Sequence, residues 1–149
     1  MKDTVVNTVL KKNITSLIIV FTVFLLDRIS KYIILKFSQP LGELNISVTS
    51  FLNFHLIWNN GIAFGLFSFE QDLYYNLFTL LIISITFIII WLSYKAQGLE
   101  KISYLMIIGG SLGNIFDRIF YSSVPDFIDI NINNFHWFIF NVADIFISI

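Results

Sequence analysis

The chain has 149 residues, 56% hydrophobic and 17% aromatic but only 13% charged, with a formal net charge of −1. A water-soluble domain this small carries about 25% charged residues, so much of the expected solvating charge is missing, and no basic patch is available for nucleic acid. The absence of cysteine excludes disulfides, thiolate catalysis and Cys-based metal sites. The apolar residues come in blocks too long to fold into one small core, and membrane insertion of a single domain, residues 1–149, explains both observations.

The N-terminus has the outline of a signal peptide: Lys2, Lys11 and Lys12 precede an apolar run over residues 14–26. No small-x-small cleavage site follows, and the run continues through Asp27, Arg28 and Lys31 into Tyr32-Ile33-Ile34-Leu35. It is therefore expected to be a retained first span, residues 14–37. A charge inside a span costs roughly 2.5–3.5 kcal/mol on insertion scales, so each one needs a reason. Asp27 and Lys31, acid before base and four apart, read as a self-neutralising anchor near the outer surface rather than as catalytic groups.

The connection that follows, residues 38–72, contains no Lys or Arg. Its middle does not read as helix. Leu44-Asn45-Ile46-Ser47-Val48-Thr49 alternates with period two, and residues 51–58 are aromatic and β-prone, which predicts short strands lying on the membrane surface. Asn59-Asn60-Gly61 supplies a turn. His55 and His136, widely separated, form no HExxH-type pair and read as interfacial or loop residues.

Residues 73–94 and 102–121 are the second and third spans, joined by a connection carrying Lys95 and Lys101. In the third, Gly110, Gly113, Asn114 and Asp117 fall at i, i+3, i+4 and i+7, on one stripe, where glycines let another backbone approach closely. Asn114 and Asp117 add polar groups to that face and Arg118 a cation, which is more than packing alone requires. In the next connection, residues 122–134, Pro125 fixes the backbone beside Asp126 among apolar neighbours, whereas Asp129 reads as a solvated loop acid.

A fourth apolar segment begins near Phe135 and is still apolar at Ile149, with Asn141 and Asp144 three apart on one helical face. It amounts to about half a span, so the fourth helix reads as cut short. The natural completion is four helices with both termini on one side. Lysines cluster at the N-terminus and in the Lys95–Lys101 connection, which places those on the cytoplasmic face and the Lys-free connections outside. Two carboxyls brought close in a low-dielectric site cannot both ionise; one takes a proton from water while the other polarises a carbonyl.

Five blocks in order, DRISK (27–31), NNGIAF (59–64), GGSLGNIFDR (109–118), VPDF (124–127) and FNVAD (140–144), give a chain that resembles the lipoprotein signal peptidase (signal peptidase II) family over essentially its whole length. The resemblance implies an all-α membrane fold, a four-helix transmembrane bundle with a small extracytoplasmic β-cradle, in the bacterial inner membrane. It implies a catalytic dyad of Asp126 and Asp144, with Asn59, Gly61, Asn114, Arg118 and Asn141 lining or bracing the site and Asp117, Asp27 and Lys31 supporting it. The implied substrates are prolipoproteins whose cysteine already carries a diacylglyceryl group, cut just before that cysteine, and the implied inhibitor is globomycin. Membrane lipid is the expected surrounding. No nucleic acid, metal or other cofactor is expected, and the protein is expected to act as a monomer. Pro125, Gly65 and Trp58 depart from residues common in the family. Two rivals are a presenilin-type protease, whose Tyr-Asp and Gly-x-Gly-Asp motifs are absent, and an ion-conducting bundle using Asp27, Asp117 and Asp144 as a relay.

Overall fold

A computed structural model describes residues 2–39, 42–61, 72–132 and 135–149. Residues 62–64 of the second block and Gly65 lie outside them, as do the side chains of Lys2, Lys11 and Lys12. The order is helix α1 (Lys2–Ser38), strands β1 (Asn45–Ser47) and β2 (Leu52–Asn59), helices α2 (Asp72–Lys95) and α3 (Gly98–Tyr121), strands β3 (Val124–Ile132) and β4 (Phe135–Phe140), and helix α4 (Val142–Ile147). The four strands form one antiparallel sheet in the order β1-β2-β3-β4.

Helix α2 is long and apolar enough over Leu73–Lys95 to cross a bilayer, and only 11% of its most apolar stretch is buried. A soluble core helix would bury such a face; this one presents Leu77, Leu80, Leu81, Phe87 and Ile88 outward, as a helix solvated by lipid does. Helix α1 also turns large apolar side chains outward, among them Leu17, Phe21 and Tyr32. Four charged residues in the middle of α1 and toward the end of α3 lie on the inner faces instead: Asp27, Lys31, Asp117 and Arg118 are all buried. Gly98, at φ 59°, lets α2 turn into α3 through the two residues Ala96 and Gln97.

The strands expected around residues 44–58 are present as β1 and β2. Two expectations for the C-terminal third are corrected. Residues 124–132, read as a loop, form a nine-residue strand. The segment from Phe135, read as the start of a fourth helix, forms β4. Phe135, Phe138, Ile139 and Phe140 satisfy a strand as well as an apolar span, and pairing with β3 decides between them. The helix begins only at Val142.

One small core ties the sheet to the helices. Ile34 of α1, Leu44, Leu56 of β2 and Phe127 of β3 are buried together, with Val142 of α4 packed against them. Strand alternation that sends Phe127 into this core sends Asp126 to the opposite face of β3.

Candidate active site

Three glycines of α3 set how close the other helices come. A Cβ on Gly110 would lie 2.6 Å from the Ala143 carbonyl oxygen, and one on Gly109 would lie 2.7 Å from Val23 Cβ. A Cβ on Gly113 would collide with the Asp27 carboxylate. The small-residue stripe is thus the seat for α1 on one side and for the first turn of α4 on the other.

Four charges fill the junction of α1 and α3. Lys31 Nζ lies 2.9 Å from Asp27 Oδ1 and donates to Asp117 Oδ2 at 2.6 Å and to Asn114 Oδ1 at 2.9 Å. Arg28 donates through both Nη atoms to Asp117, at 2.6 and 2.8 Å, and through Nη2 to Asp27 at 2.7 Å. Its guanidinium also stacks on Phe116, 4.8 Å from the ring centroid. Two carboxylates face two cations, so the cluster is neutral although Asp27 and Asp117 are 0% exposed. The expected Asp27–Lys31 pair is therefore half of an interhelical network, and Arg28 is the member that sequence reasoning missed. The signal was available: an Arg beside the acid inside a span is as costly as the Lys and needs its own partner.

Asp27 also reaches α4, its Oδ1 accepting the Ala143 N–H at 3.1 Å. Asn141 is the N-cap of α4 rather than a residue within it. Its Oδ1 accepts the Asp144 N–H, while Asp144 Oδ2 accepts the Asn141 N–H, both at 3.1 Å. This reciprocal capping box follows from Asn-x-x-Asp at the start of the helix and fixes the Asp144 carboxyl. The other oxygen of Asp144 accepts from Asn114 Nδ2 at 2.8 Å. Lys31 holds the opposite end of that same amide, so the buried cluster sets which way Asn114 points.

Asp126, 2% exposed, is reached from two sides. Asn141 Nδ2 donates to its Oδ1 at 2.6 Å and Asn59 Nδ2 to its Oδ2 at 2.9 Å. Asn59 closes β2 opposite Val124, and its Oδ1 accepts the Gly61 N–H at 2.9 Å in the expected turn. Burial, and next the neighbouring charge of Asp144, push the Asp126 carboxyl up to about 7 against the downward pull of the two amides. Arg118, 8% exposed, donates to the Asn114 carbonyl at 3.2 Å and the Gly61 carbonyl at 3.5 Å. With Asn114 and Asp144 it borders a cavity of about 260 Å³ whose wall on the α2 side is apolar, including Phe78 and Ile82.

All ten residues singled out from the sequence thus belong to one connected region. Asp129 is the exception to its reading. It is buried in the sheet, accepting from Asn53 at 3.2 Å and lying 2.9 Å from His136 Nδ1. His136 accordingly sits on a strand, not in a loop.

The description Signal peptidase (SPase) II matches residues 19–149. A lipoprotein signal peptidase of Pelagibacter ubique is 47% identical over 140 residues, covering 94% of this chain and 84% of that one. One from Blochmanniella pennsylvanica is 44% identical over 142 residues, 93% of this chain and 84% of the relative. Two solved bacterial membrane enzymes share the fold. One has a TM-score of 0.76 at 30% identity, covering 90% of this chain and 80% of its own; the other has 0.68 at 28%, covering 90% and 85%.

Proposed function

The chain belongs to the signal peptidase II family, and we propose that it is an aspartic endopeptidase whose catalytic pair is Asp126 and Asp144. The family match gives no support to the presenilin-type or ion-conducting readings. The substrates are diacylglyceryl-modified prolipoproteins, cut before the lipidated cysteine. The observation that carries the pairing is Asn141, which touches both carboxyls at once while one of them titrates near 7.

Both carboxyls accept two N–H donors, so it is the upward push on Asp126, to about 7, that makes Asp126 the protonated member and Asp144 the ionised one. Its carboxylate takes a proton from water as the water oxygen attacks the scissile carbonyl. Asp126 gives its proton to the carbonyl oxygen, forming a gem-diol. Collapse then breaks the C–N bond: Asp126 takes back the proton of one gem-diol hydroxyl as the carbonyl re-forms, and the proton held on Asp144 passes to the leaving amine, which restores the pair. Arg118 balances the single negative charge shared by the pair. No cofactor enters these steps.

The helices α1, α2 and α3 cross the bacterial inner membrane with the N-terminus in the cytoplasm, and the sheet lies on the extracytoplasmic surface. Lysine placement supports that orientation. Acyl chains of the substrate partition into the same lipid, confining the search for the site to two dimensions, and a monomer suffices. Purified protein should cleave a synthetic peptide bearing a diacylglyceryl cysteine and should stop on adding globomycin. Equal cleavage of the unlipidated peptide would refute the substrate class, and activity unaffected by globomycin would refute the family mechanism here.

A further inference from the structure

Buried polar atoms in native proteins almost always have partners, so each one without a partner requires an explanation. Among the described residues, four buried side-chain atoms have none, and three belong to the facing ends of α2 and α3: Tyr75 Oη, Thr79 Oγ1 and Arg118 Nε. Tyr75 is 7% exposed and Arg118 8%. Tyr75 and Thr79 are four apart in α2, hence on one face. Phe78, between them in sequence, brings its ring centroid to 5.9 Å from the Arg118 guanidinium. The Tyr75 hydroxyl lies within electrostatic reach of Arg118 and Asp117. Arg118 and Phe78 also border the cavity that contains the Asp144 carboxyl.

Arg118 Nε can only donate, and a tyrosine hydroxyl donates readily. The missing partner must present an acceptor, and Arg118 places it at the edge of the apolar cavity beside the reacting carboxyl, which Arg118 and Phe78 line and Tyr75 and Thr79 do not. We infer that Tyr75, Thr79 and Arg118 Nε form a subsite for a substrate carbonyl oxygen, an assignment that rests on the Asp126–Asp144 reading and names how substrate is held there. A carbonyl fits because it is a neutral acceptor: the hydroxyls and the guanidinium N–H satisfy it without adding charge to a buried site. Two parts of the substrate offer that chemistry, the ester carbonyls of the diacylglyceryl group and the peptide carbonyls near the scissile bond.

The experiment measures kcat and KM for wild type, Tyr75→Phe and Thr79→Val on two synthetic lipopeptides. One carries ester-linked acyl chains; the other carries ether-linked alkyl chains without ester carbonyls. Loss of one hydrogen bond should raise KM about three- to tenfold. A rise for Tyr75→Phe on the ester substrate alone places the ester carbonyl at the subsite. An equal rise on both places a peptide carbonyl there. Because the hydroxyl has no partner among the described residues, Tyr75→Phe should melt no lower than wild type. A KM unchanged on both substrates for both variants overturns the inference, and so does a fall in melting temperature, which would reveal a structural partner for the hydroxyl. Asp126→Asn in the same assays separates the two levels. If it is inactive while Tyr75→Phe is neutral, the subsite alone fails; if it is active, the catalytic reading fails.

Discussion

Asn141 donates to Asp126 Oδ1 at 2.6 Å, and this single amide ties the junction between sheet and helix to the proposed catalytic pair. The same side chain caps α4 through the Asp144 N–H. One residue therefore sets the position of Asp144 along the helix axis and the orientation of Asp126 on β3.

The two roles of Asn141 can be separated. Asn141→Ser keeps an oxygen able to cap the helix but cannot reach Asp126, so it should fold nearly as well as wild type and lose about 100-fold in turnover through misplacement. Asn141→Ala should lose the same activity and a further 0.5–2 kcal/mol or so of stability. Thermal melts in detergent beside initial cleavage rates test this. Full activity in Asn141→Ser would show that the amide on Asp126 is dispensable.

The raised carboxyl of Asp126 makes a pH prediction with a definite sign. Below pH 4 the group is protonated in both folded and unfolded chains, and its contribution to stability is complete. As pH rises from about 4 to about 7 the unfolded chain releases the proton while the folded one retains it, so stability falls, by roughly 3–5 kcal/mol, and then levels off. Asp126→Asn lacks this loss. Its melting temperature relative to wild type should therefore be more favourable at pH 8 than at pH 4. Parallel curves for the two proteins across that range would mean that Asp126 titrates normally.

Gly110 should tolerate no side chain, because a methyl there meets the backbone oxygen of Ala143, which cannot rotate away. Gly110→Ala should cost about 1–3 kcal/mol and displace Asp144, with turnover falling more than stability predicts. Unaltered melting and cleavage would show that α4 is not seated on α3 as described.

The glycine stripe and the turn at Asn59–Gly61 were legible because each rests on a local rule, whereas the pairing of Asp126 with Asp144 came from the family resemblance. Glycine spacing, Asx-type turn chemistry and the cost of charge in lipid all act within a few residues. What was not legible depends on pairing across the chain. Val124–Ile132 becomes a strand because β2 and β4 flank it, and the aromatic run Phe135–Phe140 carries the same apolar signal whether it enters lipid as helix or lies in a sheet. Asp129 looked solvated because nothing in its sequence neighbourhood announces Asn53, which meets it across the β2–β3 register. Tyr75 was invisible for the opposite reason: its proposed role rests on a hydroxyl with no partner among the described residues.

The proposed orientation is directly testable, since the chain has no native cysteine. Ser47 lies exposed on β1 and Glu100 exposed at the start of α3. In intact cells an impermeant thiol reagent should label Ser47→Cys and leave Glu100→Cys unlabelled until the membrane is opened. The reverse pattern would put the Asp126–Asp144 pair on the cytoplasmic side and exclude the proposed topology.

The proposed catalytic pair predicts a pattern among variants rather than a single loss. Asparagine at 126 or 144 preserves size while removing the group that takes or gives the proton. Each single variant should therefore insert, fold and still bind globomycin, at least weakly, yet lose nearly all turnover. The double variant should be little worse than either, because residues that act as one unit are not additive. Asp129→Asn is the comparison: it weakens the half-buried contacts to Asn53 and His136 and should lower the melting temperature while sparing the rate per folded molecule. Asp27→Asn and Asp117→Asn unbalance the neutral cluster and should act mainly through stability, since each leaves Arg28 and Lys31 sharing one carboxylate and a net positive charge at the helix junction. Initial rates on a lipidated peptide, normalised to folded protein, decide the matter. If either Asp126→Asn or Asp144→Asn keeps as much as about a tenth of the wild-type rate, a loss worth only about 1.4 kcal/mol in the barrier, that carboxyl is not half of a catalytic pair.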